Sequence, residues 1–283
     1  RSQAWPALDR DSVAKHSALP RLLVTIALSK KLMLPPNPTV GYAVTMTNTL
    51  CIETSTAHCS LALAVGEDIF SQQRKLERSH NEHILPMLSE LFESAGLSKQ
   101  DIQVIGFGAG PGSFTGVRIA ASVAQGIAMA SQSKVVAMKG SEVLVRSAIE
   151  DKTLAGYGHS GKSTNWLALI PSRADAYYVS LYQQNGAELS VVIADQLLLE
   201  PADWVEALAA DITAQGEHTL KIIGAMPSWM PKALESYRVG TPIPDARVML
   251  DQVRQQFIEG TAQDAEYALP IYVDGDSPWR KTS

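Results

Sequence analysis

The sequence predicts an α/β protein folded as two lobes, and three observations carry this. The chain has 283 residues, and at roughly 150 residues per domain that length suggests two domains, each able to bury a core. Short apolar runs bounded by turn residues come first, and helix-period and strand-like segments then alternate. A polar, glycine-rich stretch over 151–164 divides the chain. With 46% hydrophobic and 19% charged residues the protein is neither disordered nor fibrous.

The first lobe is expected over 46–150. Residues 49–54 read as a buried strand because Leu50, Cys51 and Ile52 form a continuous apolar run. Thr54-Ser55-Thr56 turns the chain into a second run over 60–65. Gly66-Glu67-Asp68 turns it again into a third strand over 69–74, which completes a meander. From 79 to 95, Ile84, Met87, Leu88, Leu91, Phe92 and Ala95 recur at helical spacing, and Gly96 supplies the stop. Ser79 with Glu82 offers a capping box, and Pro86 is expected in or near the first turn. A strand over 104–108, a helix over 113–130, a strand over 135–138 and a helix over 141–149 follow. Three strands and then αβαβα is the order of one lobe of the actin-like ATPase (ASKHA, ribonuclease-H-like) fold, an analogy of order.

The second lobe is expected over 165–283, with its C-terminal segment packing back on the first. Strands are predicted over 166–170, 176–182, 189–194 and 220–223, and helices over 202–214 and around 247–257. A docking strand is predicted over 269–273. No internal repeat of 20–50 residues is visible.

Residues 1–45 differ from the rest. They begin with Arg1, carry six basic residues against two acids, and leave through Pro35-Pro36-Asn37-Pro38. A basic tail or transit peptide is one reading; a poorly structured, non-native or upstream extension before Met46 is the expectation. The whole chain carries 24 Lys and Arg against 29 Asp and Glu, a net charge of −5. Without the extension, 18 basic and 27 acidic side chains leave −9 over 238 residues. Such a chain has no electrostatic means of holding nucleic acid by itself. Two cysteines, Cys51 and Cys59, exclude a disulfide scaffold and a four-cysteine zinc site, and no apolar run approaches the ~20 residues that span a bilayer. A cytoplasmic protein is expected.

Three motifs bear on chemistry. Gly156-Tyr-Gly-His-Ser-Gly-Lys-Ser163 matches the P-loop pattern, and Val191–Asp195 imitates a magnesium-binding strand. The P-loop needs a buried strand before it and a helix after it, whereas this string lies between polar residues and a strand pattern. His80 and His83 sit at i, i+3, which is not the i, i+4 spacing of a zincin pair, so no metal site is expected. Gly108-Ala-Gly-Pro-Gly-Ser-Phe-Thr-Gly-Val-Arg118 joins a strand to a helix. Gly110, Gly112, Ser113, Thr115 and Gly116 form a weak candidate for an anion or nucleotide loop, with no lysine in it, and Ser113 or Thr115 can cap the helix. Along that helix Gly116, Ala120, Ala124 and Ala128 form a small-residue ridge flanked by Ile119, Val123 and Ile127. Such a ridge lets the helix approach either its own sheet or a partner helix, and the residues leave both open.

The opening Leu50-Cys-Ile-Glu-Thr-Ser-Thr-Ala-His-Cys-Ser-Leu and the string Gly110-Pro-Gly-Ser-Phe-Thr-Gly-Val-Arg-Ile119 resemble the TsaB (YeaZ) family. So do His83-Ile-Leu-Pro-Met87, Arg173-Ala-Asp-Ala-Tyr-Tyr and the closing Leu269-Pro-Ile-Tyr-Val with Trp279-Arg280-Lys281. The resemblance covers 46–283. It implies an actin-like fold and a non-catalytic scaffold in the bacterial installation of threonylcarbamoyladenosine (t6A) beside the tRNA anticodon. It implies pairing with the catalytic TsaD subunit through helices 79–95 and 113–130, a TsaE ATPase in the assembly, a homodimer in isolation, and tRNA contact only through the complex. The implied interface joins the ridge to Ile84, Leu88 and Leu91, so that Arg at Ala120 or Ala124 breaks pairing and spares the fold. No cofactor of its own is implied, with ATP or ADP held at most at a shared interface.

The residues agree with a non-catalytic reading. Active actin-like enzymes open with an Asp-x-Gly-Thr phosphate loop, whereas this chain has Glu53-Thr54-Ser55-Thr56. An actin-like ATPase or a glycoprotease-like (M22) peptidase acting alone is the alternative. Asp274 and Pro171-Ser172 depart from the family's pattern.

Overall fold

The computed structural model describes residues 47–76, 79–155, 163–173, 175–215 and 220–273, which belong to the compact unit Asn37–Ser283. The extension 1–45, residues 156–162 of the P-loop-like string, Asp274 and Trp279–Lys281 lie outside the described residues.

Strands β1 (Thr49–Glu53), β2 (His58–Val65) and β3 (Asp68–Lys75) form the antiparallel meander. Helix α1 (His80–Ala95) leads to β4 (Val104–Gly110), and α2 (Phe114–Ser131) to β5 (Lys134–Lys139). Both of these strands run parallel to β1, so the sheet order is β3-β2-β1-β4-β5. β1 is fully buried because both faces of the sheet are covered. Leu50 and Ile52 meet the α1/α2 side, and Cys51 meets the other. Edge strand β3 is polar and mostly exposed, as an edge must be to avoid pairing with other chains.

Helix α3 (Gly140–Glu150) and the short α4 (Lys152–Ala155) lead to β6 (Thr164–Pro171), β7 (Tyr177–Asn185) and β8 (Glu188–Leu198). After α5 (Asp203–Gln215) come β9 (Leu220–Gly224), α6 (Lys232–Glu235) and β10 (Arg238–Gly240). The second sheet reads β8-β7-β6-β9-β10, an antiparallel meander and then two parallel strands. Each sheet therefore has the same connectivity, and the fold is the two-lobed actin-like α/β arrangement. The sequence hides this duplication because burial pattern, rather than residue identity, is what the two sheets share.

α3 belongs to both cores: Val143 packs with Cys51 and Met138, while Leu144, Val145 and Ala148 pack with Trp166, Tyr182 and Ile223. The chain then returns to the first sheet, where a 3-10 turn over Ala246–Met249 and α7 (Leu250–Ile258) cover the face opposite α1 and α2.

Two local expectations are corrected, the capping box and the docking strand. The Ser79 hydroxyl donates to the Leu76 carbonyl, so no capping box forms with Glu82. Pro86 lies in the second turn of α1, where its missing N–H falls on the exposed side. Residues 269–273 form no strand; they dock through one backbone bond, Ile271 N–H to the Ala109 carbonyl at 2.8 Å. Short elements escaped the periodicity altogether, as α6 and β10 have four and three residues.

Candidate functional site

In the first lobe β1 and β4 end side by side, so the turn after Glu53 faces the loop after Gly110. The two are locked together. The Thr54 hydroxyl donates to the Gly116 carbonyl at 2.7 Å, and the Ser113 N–H donates to the Ser55 carbonyl at 2.7 Å. The fit leaves no room for side chains: a Cβ on Gly116 would lie 1.9 Å from the Thr54 carbonyl oxygen, and one on Gly112 would lie 2.6 Å from Ser55 Cβ. These glycines serve close backbone approach.

The Ser113 and Gly116 amides of the loop are used inside the chain. Ser113 is the cap of α2: its hydroxyl accepts from Gly116 N–H, and its carbonyl accepts from Val117 N–H. Gly110 and Gly116 are buried, Gly112 is half-buried, and Ser113 and Thr115 are exposed. Glu53 is enclosed too. Its Oε1 accepts from Ser55 N–H, and its Oε2 is buried beside Gly108 with no partner among the described residues. Burial raises its pKa above the ordinary carboxylate range despite the Ser55 hydrogen bonds. The residues therefore do not fit a nucleotide's phosphates or their metal. The carboxylate is sealed away from solvent, and the chain itself fills the cradle.

The other reactive groups are as closed. Burial raises the thiol pKa of both cysteines, Cys59 to about 12. His80 is buried while His83 is exposed, so the two do not converge, and no group of three potential metal ligands exists among the described residues. Burial, followed by the neighbouring charges of Lys75 and His80, lowers the pKa of His58. Asp195 sits at a bulge of edge strand β8, beside Ser180 and Ser141.

The ridge also has its answer. Gly116, Ala120, Ala124 and Ala128 are buried against the first sheet, in one core with Ile84, Leu88 and Leu91. Their burial places all seven in the core, and as a partner surface six of them are corrected, Ile84 alone also reaching a surface groove. Ile119, Val123 and Ile127 are half-buried on the flank. There α1 and α2 part to form a groove of about 390 Å³, with Ile84 in its floor, Ile119 and Val123 along one wall, and Leu85 and Phe114 at the rim. Leu85 is 62% exposed, Phe114 44% and Met129 67%, which is a high apolar exposure for one helix pair. Sequence reasoning missed Leu85, Phe114 and Met129 because they fall off the helical stripe. That off-stripe position was itself the available signal. A larger polar cleft of about 1190 Å³ lies at the opposite end of the first sheet, between the start of β3 and the C-terminal end of α3.

The architecture defines a class: a two-lobed actin-like protein whose phosphate-loop position is closed by its own chain and whose first two helices carry an open apolar groove. The family model for TsaD, tRNA N6-adenosine threonylcarbamoyltransferase, matches residues 65–221, more than half of the chain. The tRNA threonylcarbamoyladenosine biosynthesis protein TsaB of Escherichia coli is 29% identical over 242 residues, 82% of this chain and 96% of that protein. Its counterpart in Haemophilus influenzae is 25% identical over 82% of this chain and 95% of its own length. The solved structure of YeaZ from Pseudomonas aeruginosa superposes with a TM-score of 0.63 at 26% identity, covering 81% of this chain and all of that one. The chain belongs to the TsaB/YeaZ family.

Proposed function

We propose that this protein is a non-catalytic accessory subunit in the biosynthesis of threonylcarbamoyladenosine in tRNA. It acts by docking on, and stabilising, a catalytic TsaD-type subunit that transfers the threonylcarbamoyl group from threonylcarbamoyl-AMP. The observation that carries this reading is the closed turn around Glu53. A carboxyl buried and held on one oxygen by Ser55 N–H, with Gly116 pressed on Thr54, supports a turn that serves packing rather than phosphate or metal. The names of the relatives supply the pathway, and the groove between α1 and α2 supplies the surface. A TsaE-type ATPase joins the assembly, and the isolated chain pairs with itself through the same face. With its acidic balance the chain leaves tRNA to its partner, in the cytoplasm, and any nucleotide is held only at the shared interface.

The test has two arms. The purified protein alone is expected to hydrolyse no nucleotide and no peptide above background; turnover abolished by Glu53→Ala or Lys162→Ala would instead establish an independent enzyme. In co-purification with the TsaD-type subunit, Leu85→Asp or Val123→Arg is expected to remove the complex while the circular-dichroism melt stays unchanged. Intact pairing in both variants places the interface elsewhere.

A further inference from the structure

We propose that Arg118 is the specificity anchor of the α1/α2 groove, set in place to pair with a carboxylate on the helix that docks there. This rests on the reading of that groove as a partner surface. Arg118 stands at the groove's mouth and is the one charged residue among the described residues lining it. Its guanidinium carbon lies 3.5 Å from the centre of the Phe114 ring, one turn earlier on α2, and 5.9 Å from that of Tyr272. Its Nε donates to the Tyr272 hydroxyl at 3.0 Å. Tyr272 lies 154 residues further along the chain, next to Ile271, whose N–H to the Ala109 carbonyl fixes the segment beside α2.

Three consequences follow from this clamp. A side chain rich in rotamers is already ordered before any partner arrives. Among the described residues, the Nε bond and the Phe114 stack are the contacts of the guanidinium, its two terminal amino groups have no hydrogen-bond partner, and Arg118 forms no ion pair. When a helix covers the groove, the guanidinium loses water, and a desolvated charge without an acceptor is costly, so the partner must bring one. A carboxylate is the planar acceptor that suits a guanidinium fork. Polyphosphate or RNA is disfavoured by a chain carrying −9 beyond its first 45 residues. On the proposed reading the occupant in the complex is a helix of the TsaD-type subunit, with an apolar face flanked by an Asp or Glu. Tyr272 and Phe114 are positioning residues that act through Arg118.

The affinity of the full chain for the TsaD-type subunit of the same organism, measured by titration calorimetry, tests this. Arg118→Ala is expected to weaken binding by about thirty-fold or more, and Arg118→Lys by nearly as much because the fork and the stack are lost. Tyr272→Phe, which removes only the hydroxyl, should cost a few-fold. The salt dependence of binding should flatten in Arg118→Ala, and Arg118→Glu should recover affinity against a partner whose facing acid is changed to Arg. Binding within two-fold of the parent in Arg118→Ala, while Leu85→Asp abolishes it, overturns the anchor and leaves the groove standing. Normal binding by Leu85→Asp removes the groove reading itself. Loss of self-association alone in Arg118→Ala, with the heterologous complex intact, makes a second copy the occupant and also overturns the proposal.

Discussion

At the scale of single residues, Glu53 is the informative side chain. Burial raises its folded-state pKa, so the protonated form is favoured on folding. The sign follows: its contribution to stability is fully present below the unfolded carboxylate pKa and is lost as the pH rises through the folded value. Glu53→Gln, which cannot ionise, should therefore gain in melting temperature relative to the parent as pH is raised from 4 to 8. A constant difference across that range would refute the burial argument. Gly116 offers a second measurement. A methyl there meets the Thr54 carbonyl, so Gly116→Ala is expected to cost about 1–3 kcal/mol in urea unfolding. The sequence signalled that Gly116 was special, but phosphate binding and close packing both use glycine. The choice between them needed the contact with Thr54, which lies 62 positions away.

At the scale of elements, α2 is legible in extent and ambiguous in orientation. Its span is read to within one residue from spacing, and residue type offered Ser113 or Thr115 as the cap, of which the structure takes Ser113. A small-residue ridge, however, suits a sheet or a helix equally, and here the sheet takes it. Arg at Ala120 or Ala124, both fully buried, is therefore expected to unfold the first lobe instead of merely blocking a partner, and expression with a melting curve will decide. Helix α7 presents a different case, in which a buried cation holds an element. Arg254 Nε donates to the Thr47 carbonyl and the Thr49 hydroxyl, and its terminal amino group donates to the Gly66 carbonyl at 2.9 Å. It pins the start of β1 and the β2–β3 turn to the end of the chain. Arg254→Met removes its three hydrogen bonds, leaving the Thr47 carbonyl its bond from the Thr49 hydroxyl, and should cost about 2–4 kcal/mol, with hydrogen exchange rising first at Thr49–Glu53. Nothing in the sequence marked Arg254, because its three acceptors lie 188 to 207 residues away.

At the scale of the whole molecule, the two sheets are joined by more than a linker. α3 contributes side chains to both cores, the Ser141 hydroxyl and Tyr182 phenol hydrogen-bond at 2.8 Å across the joint, and α7 brings the far end of the chain back to the first sheet. On one face of each sheet the core includes α3, while the opposite faces pack on α1 and α2 and on α5. One cooperative calorimetric transition is therefore expected for the described lobes; two resolved transitions would show that the shared helix does not couple them. Tyr182→Phe should lower the stability of that single transition by about 0.5–1.5 kcal/mol.

The sequence by itself determined the order and type of the main elements and the family. These depend on local quantities: the spacing of apolar residues, turn residues at fixed offsets, and a continuous string such as Gly110–Ile119. Only the tertiary structure decided that both sheets share one connectivity, that the turn after Glu53 is filled, that the ridge faces inward, and that Arg118 is clamped between Phe114 and Tyr272. Each of those depends on residues far apart in the chain meeting within a few ångströms, and periodicity along the chain carries no record of which distant surface will be met.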